Sequence, residues 1–267
     1  MALVCGRFVS SSSPDKIAEF FGASFDSESD AGDVGAGGRL EPSFNVAPTN
    51  DVYAVVARAD GRRELTTYRW GLVPSWAKDV KIGSKLINAR SETLAEKPAF
   101  KGLFRKHRLL VPMDGFYEWQ VQQAAEGEAA GAKPRKTPMF IHRADGQQLA
   151  VAGLWAAWKE PGSPADAPWL HTCTVITTAA NATMAPVHDR MPVLLAPDAW
   201  ERWLDPGFHD MVALQSLLVP APDEVLTMHA VSTAVNSVRN KGPELVAPVA
   251  AAADAGGDDD GGEGRLF

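Results

Sequence analysis

Four side chains in this sequence have the types needed for covalent or proton-transfer chemistry: Cys5, Asn88, Glu118 and His188. A thiol is a strong nucleophile, a carboxylate and an imidazole can exchange protons near neutral pH, and an amide can orient a polar substrate. Together they permit a thiol-based nucleophilic mechanism, but their spacing does not show that they converge. Taken singly, each has a simpler reading. A cysteine near a chain terminus is commonly inert. Asn88, in LINARSET, suits a turn or cap. Strand alternation in DGFYEW places Glu118 opposite Tyr117 and Trp119, which reads as an outward, solvated carboxylate. His188, followed by Asp189 and Arg190, suits a surface ion-pair corner. There is no Cys-x-x-Cys, the histidines are scattered and no glycine loop could cradle a phosphate, so no metal and no cofactor are expected.

The elements that must position these residues can be read from pattern. Ser13-Pro14-Asp15 ahead of Ile17, Phe20 and Phe21 predicts a capped helix that Gly22 ends. VYAVVA and LTTYRW, with Asp60-Gly61 between them, predict a hairpin. A helix broken at Pro98 is expected over 91–104. RLLVPM and FYEWQV read as strands joined by Asp114-Gly115, followed by an enlarged loop over 121–138. PMFIH, LAVAGLWAAW, LHTCTVITTAA and EVLTMHAVS read as further strands, and 195–204 and 210–218 as helices. Cys173, in the alternating HTCTVITT, reads as a small core residue. Strands and short helices interleave without a βαβ rhythm. The expected fold is therefore α+β, with mixed, largely antiparallel curved sheets forming a partial barrel and short flanking helices. One domain is expected over 5–249, with a loose acidic insert at 26–38, an acidic disordered tail at 250–267, and residues 1–4 as an extension.

Charge is unevenly placed along the 267 residues, whose formal net charge is -7. At face value an acidic chain argues against a nucleic-acid partner. Yet two Gly/Ala/Asp-rich segments, 26–33 and 251–267, each carry a net charge of -4, which leaves the rest of the chain near neutral. The stretch 65–110 holds ten basic residues (Arg69, Lys78, Lys81, Lys85, Arg90, Lys97, Lys101, Arg105, Lys106 and Arg108) against Asp79, Glu92 and Glu96. This is either a solvated face or a phosphate-binding surface, and Trp70, Trp76 and Trp119 would suit base stacking beside it. No apolar run approaches the roughly 20 residues that span a bilayer. With no membrane segment, no export signal and only Cys5 and Cys173, a reducing cytoplasm is expected.

The ordered set CGRF, FNVAPTN, RWGLVPSW, INARSET, DGFYEW, ITTAAN, HDRMPVLL and VSTAVNSVRNKGPELV resembles the SOS-response-associated peptidase family from Cys5 to Val246. The resemblance implies a DNA-damage-response protein, monomeric, that shields abasic sites in single-stranded DNA. In that chemistry an N-terminal cysteine condenses its amine with the aldehyde of the ring-opened sugar, and its thiol then closes a thiazolidine. By resemblance Cys5 is the crosslinking residue, Asn88 orients the amine and sugar, Glu118 is the acid/base, and His188 transfers a proton at the sugar oxygen. Arg7, Arg90 and Arg190 would hold phosphates, and Asn45, Pro48, Trp70 and Thr177 would line the DNA channel, with Trp70 stacking or wedging. The family pattern begins Met-Cys-Gly-Arg, whereas Met1-Ala2-Leu3-Val4 precede Cys5 here. The resemblance therefore implies either a misassigned start, with Val4 as the initiator, or self-cleavage before Cys5; the first is favoured. A thiol peptidase acting through Cys5, Glu118 and His188, and a non-catalytic single-strand-binding module, are the alternatives.

Overall fold

The computed structural model describes residues 5–26, 38–122 and 134–249. In chain order the elements are β1 (Phe8–Ser10), α1 (Pro14–Phe21), β2 (Ser24–Phe25), β3 (Ser43–Val46), β4 (Asp51–Ala57), β5 (Arg63–Trp70), β6 (Asn88–Arg90), α2 (Lys101–Lys106), β7 (Arg108–Met113), β8 (Gly115–Val121), β9 (Lys136–Arg143), β10 (Leu149–Trp158), β11 (Leu170–Ala179), β12 (Arg190–Pro192), α3 (Pro197–Leu204), α4 (Met211–Ser216) and β13 (Leu226–Ala230). The expected α+β class holds. Eight strands run β12-β11-β10-β7-β4-β5-β2, with β6 also on β11, and five run β13-β9-β8-β1-β3.

The larger sheet closes on itself. β11 pairs antiparallel with β10 through Gly153↔Val175 and parallel with β5 through Cys173↔Trp70. The ring is therefore β4-β5-β11-β10-β7, and closure removes the sheet edges those strands would otherwise expose. Alternation gives the two faces different partners. Val52, Ala54, Val56, Leu109, Val111, Leu149, Val151, Cys173 and Val175 fill the interior. Tyr53, Val55, Leu110, Ala150, Ala152 and Ile176 face outward against Ile17, Phe21, Phe104, Trp200 and Trp203 of the helices. With both faces buried, RLLVPM and LAVAGLWAAW read as continuous apolar runs.

The start of the helical layer follows its sequence signals. Ser13 caps α1 by accepting the Lys16 N–H, and Gly22 ends it at φ 58°, a left-handed conformation glycine adopts at low cost. The helix expected over 91–104 is shorter and later. Ser91–Thr93 form only a 3-10 turn, and the α-helix begins beyond Pro98, at Lys101. Arg108, counted above among surface cations, is buried instead. Its guanidinium donates to the carbonyls of Phe104, Arg105, Trp203, Asp205 and Phe208, tying the ends of α2 and α3 together. Arg108→Met keeps most of the bulk but orphans buried carbonyls. It is expected to cost about 3 kcal/mol or more, read as a lower urea midpoint at unchanged slope.

Asp114 is the corner where the chain leaves the ring for the second sheet. Its carboxylate accepts from the amides and hydroxyls of Ser11 and Ser12 and from Gln148, fixing the exit of β1 against the start of β8. Gly115 is required beside it, since a Cβ there would lie 2.5 Å from the Phe140 ring and 2.7 Å from the Ile141 oxygen. The β8–β9 ladder continues to Val121↔Lys136 and to a Gln122 N–H bond on the Arg135 carbonyl. The enlarged loop thus starts later than expected, and its middle, the acidic insert beyond Asp26, the extension 1–4 and the tail lie outside the described residues. Among the described residues no helix is long and apolar enough to cross a membrane.

Candidate active site and nucleic-acid interface

The two sheets meet around Cys5. Phe8 pairs with Phe116 and Val9 with Gly115, so β1 runs antiparallel to β8, and the Tyr117 amide donates to the Arg7 carbonyl. This register brings Cys5 to Glu118, whose carboxylate accepts a hydrogen bond from the Cys5 backbone nitrogen. Glu118 is 3% exposed. The solvated-carboxylate reading is therefore wrong, and the reason is layering. On the Tyr117 face, Val231, Val235 and Leu245 of the C-terminal segment cover the small sheet. On the opposite face, where Glu118 points, Phe116 packs into the ring core with Cys5. Alternation assigned Glu118 a face correctly; that face is interior.

Burial raises the Glu118 carboxyl to about 7, against weaker lowering from its bonds to the Cys5 and Trp119 amides and from Lys136. Burial, and then the Glu118 charge, push the Cys5 thiol well above its ordinary range. The pair is thus a protonated thiol beside a carboxyl poised near neutrality. Cys5 also holds a left-handed backbone, φ 50°, which costs a non-glycine residue on the order of 1 kcal/mol or more. It belongs to the core cluster that also contains Phe8, Trp70, Ile87, Met184 and Met191.

Two members of that cluster adjoin the other predicted residues. Ile87 precedes Asn88, which is half-buried on β6 and paired with Val175. The Met184 carbonyl accepts the His188 amide. His188 Nδ1 lies 3.0 Å from the Arg190 amide and 2.8 Å from Asp189 Oδ1. The two contacts make opposite demands, because the amide needs a lone pair and the carboxylate needs a proton. Burial lowers the imidazole below its usual value, more than Asp189 raises it. The lowering favours a neutral ring at neutral pH, and with Nδ1 accepting from the Arg190 amide the proton is assigned to Nε2. The Lys136 charge bears weakly on both Glu118 and His188.

The predicted DNA-contact residues divide. Arg90 is exposed, and Arg7, Pro48 and Arg190 are half-buried. Arg7 bonds Asn45 Oδ1 and the Val235 carbonyl and lies 6.0 Å from the Trp119 ring. Asn45 and Trp70 are 0% exposed. Asn45 spends its amide on the carbonyls of Val235, Ser237 and Asn240, holding the C-terminal segment. Trp70 donates to the Ile87 carbonyl and packs edge-on against Phe8. Both are enclosed by the folded chain rather than presented on its surface. Thr177 is also buried, and its carbonyl holds Arg190. Trp76 instead is 60% exposed, in a cleft of about 470 Å³ lined by Lys78, Lys81 and Lys85. The loop that presents it is pinned by Gly71, at φ 127°, where a Cβ would lie 2.8 Å from the Gly83 oxygen. The sequence signal was a tryptophan among lysines just after a proline, away from strand alternation. Among the described residues no group of three or more potential ligands could hold a metal.

A closed β-ring flanked by a second sheet, with a buried cysteine–carboxyl pair where they meet and an aromatic, lysine-lined cleft on the surface, defines an α+β protein with a thiol centre. Residues 4–238 match the model of the SOS response associated peptidase (SRAP) family. The chain belongs to that family. It is 40% identical over 245 residues to the abasic site processing protein YoqW of Bacillus subtilis (strain 168), covering 91% of this chain and 99% of the relative. It is 36% identical over 244 residues to the abasic site processing protein HMCES of Gallus gallus, covering 79% of this chain and 68% of that one. A crystal structure from Bacteroides thetaiotaomicron shares the fold with a TM-score of 0.74 at 24% identity, over 92% of this chain and 100% of that one.

Proposed function

We propose that the chain processes abasic sites in single-stranded DNA and shields them by forming a thiazolidine crosslink through Cys5 once Cys5 is the N-terminal residue. The observation that carries this reading is the bond from the Cys5 nitrogen to Glu118, with the thiol on the same residue. The crosslink needs the amine and the thiol on adjacent carbons, and it needs a group that can give and take protons at the nitrogen. Glu118, poised at about 7, is such a group. With 1–4 in place the nitrogen is an amide and cannot condense with an aldehyde, so the reading requires a mature protein beginning at Cys5. Asn88 orients the sugar, His188 donates from Nε2 to its ring oxygen as the ring opens, and Arg7, Arg90 and Arg190 engage phosphates. The names of relatives such as YoqW and HMCES support abasic sites as what is processed.

The test is to mix protein beginning at Cys5 with a single strand carrying an abasic site and run a denaturing gel. A covalent band supports the reading. Salt-sensitive binding without a band indicates a binding module, and peptide turnover with neither indicates a peptidase.

In this reading Trp76, rather than Trp70, provides the surface on which a base stacks, beside lysines that follow the backbone. Trp76→Ala is expected to weaken noncovalent single-strand binding by about 1–3 kcal/mol, measured by anisotropy, with the melting temperature unchanged because the ring packs little.

A further inference from the structure

Arg190, one of the proposed phosphate contacts, already has an anion. Its Nη1 and Nη2 grip Glu92 Oε1 and Oε2 at 2.7 and 2.9 Å, a two-point fork of the geometry arginine makes with a phosphate. Nη2 also donates to the Thr177 carbonyl at 2.7 Å and lies 3.4 Å from its hydroxyl. The side chain of Arg190 is 13% exposed, whereas that of Glu92 is 50% exposed. The carboxylate therefore covers the guanidinium from the solvent side. Arg190 holds the Glu92 carboxyl below its usual range, so Glu92 is charged at neutral pH. The backbone of Arg190 is anchored separately, by pairing of Ala179 with Arg190 between β11 and β12, and its amide serves His188. Loss of Glu92 would thus uncover the guanidinium, still held at Nη2 by the Thr177 carbonyl, without releasing the histidine.

We propose that Glu92 is a specificity-determining residue: an internal phosphate surrogate that an incoming DNA phosphate must displace from Arg190. The inference rests on the single-strand DNA reading above. An undamaged strand meets a neutralised Arg190 and a repelling carboxylate, so its binding is weakened. A strand whose abasic sugar enters the site gains further contacts that offset the displacement of Glu92. Glu92 rises from the turn just after β6, beside the exposed Arg90, so the exchange would leave two arginines on one backbone path.

The experiment compares the wild-type chain, Glu92→Gln and the double variant Glu92→Gln/Arg190→Gln. The probes are an undamaged oligonucleotide and the same strand carrying tetrahydrofuran, an abasic analogue with no aldehyde to link. Glu92→Gln is expected to bind the undamaged strand about threefold to tenfold tighter, and to gain less on the analogue, so discrimination falls. Its log K against log salt should steepen by about 0.7, the value of one added phosphate contact on a single strand. Both gains should vanish in the double variant. Wild-type binding with an unchanged Glu92→Gln affinity and slope would overturn the gate alone, as would a gain that persists without Arg190. If neither the wild type nor Glu92→Gln binds either strand at low salt, the DNA reading falls and the gate with it.

Discussion

Cys5→Ala, in a protein that begins at this position, is expected to lose the covalent band to background on an abasic single strand. The loss identifies one of two reacting groups, because alanine keeps the amine and removes only the thiol. In the proposed sequence the amine adds to the aldehyde at C1′ and water leaves, giving a protonated Schiff base. The sulfur then bonds to C1′, the C=N electron pair returns to nitrogen, and the thiol proton passes to the Glu118 carboxylate. Cys5→Ala should stop after the Schiff base, which hydrolyses on a denaturing gel. Borohydride, which reduces the C=N bond, should restore a band with Cys5→Ala, and the linked peptide should begin at position 5; in a protein that keeps residues 1–4 the Cys5 nitrogen is an amide, so any trapped band must map to another amine. Intact mass supplies the matching check on the mature start. A native protein retaining Ala2-Leu3-Val4 would sink the mechanism whatever its affinity for DNA. The fold should tolerate the substitution: Cys5 is wholly buried, but alanine removes a single sulfur from a mixed apolar cluster.

Local signals were legible where one stretch decides its own conformation. The Ser13 cap, the Gly22 stop and the hairpin of β4 with β5 needed no distant partner to be foreseen. What the sequence left open depends on contacts between remote segments. Ring closure rests on the parallel contact of β5 with β11, roughly a hundred residues away in the chain, and no periodicity announces such a pairing. The Cys5–Glu118 bond spans 113 residues. Glu118 illustrates why alternation is insufficient. It assigns a face but does not reveal whether a second layer covers that face. Trp70 and Trp76 illustrate the same limit for aromatics. Both lie in the quoted RWGLVPSW block, yet one ends a ring strand and faces the core, whereas the other follows a proline into an exposed turn. The basic stretch was legible as charge, but Arg108, within it, serves backbone carbonyls and contributes nothing to the surface.

Glu118→Gln should slow band formation by about 100-fold or more, the range expected when a positioned acid/base is removed. Glutamine keeps the shape and can still accept from the Cys5 nitrogen, so binding should survive while proton transfer does not. The pH dependence separates this role from simple packing. Burial holds the Glu118 carboxyl at about 7, where it can donate during Schiff-base formation and then accept the thiol proton. The wild-type rate should pass through a maximum near that pH, and the Gln variant should lose the limb governed by this group. Stability provides an independent reading of the same ionisation. A carboxyl raised in the folded state binds a proton there that the unfolded chain has already released between about 4.5 and 7. Its contribution is therefore greatest at low pH and is lost as pH rises through that window, with a slope approaching about 1.4 kcal/mol per unit. Urea midpoints measured across this range should fall with pH in the wild type and flatten in Glu118→Gln. If they stayed parallel in the two proteins, Glu118 would be ionised throughout, and a carboxylate without a proton to give could not serve as the acid in the ring-opening and Schiff-base steps.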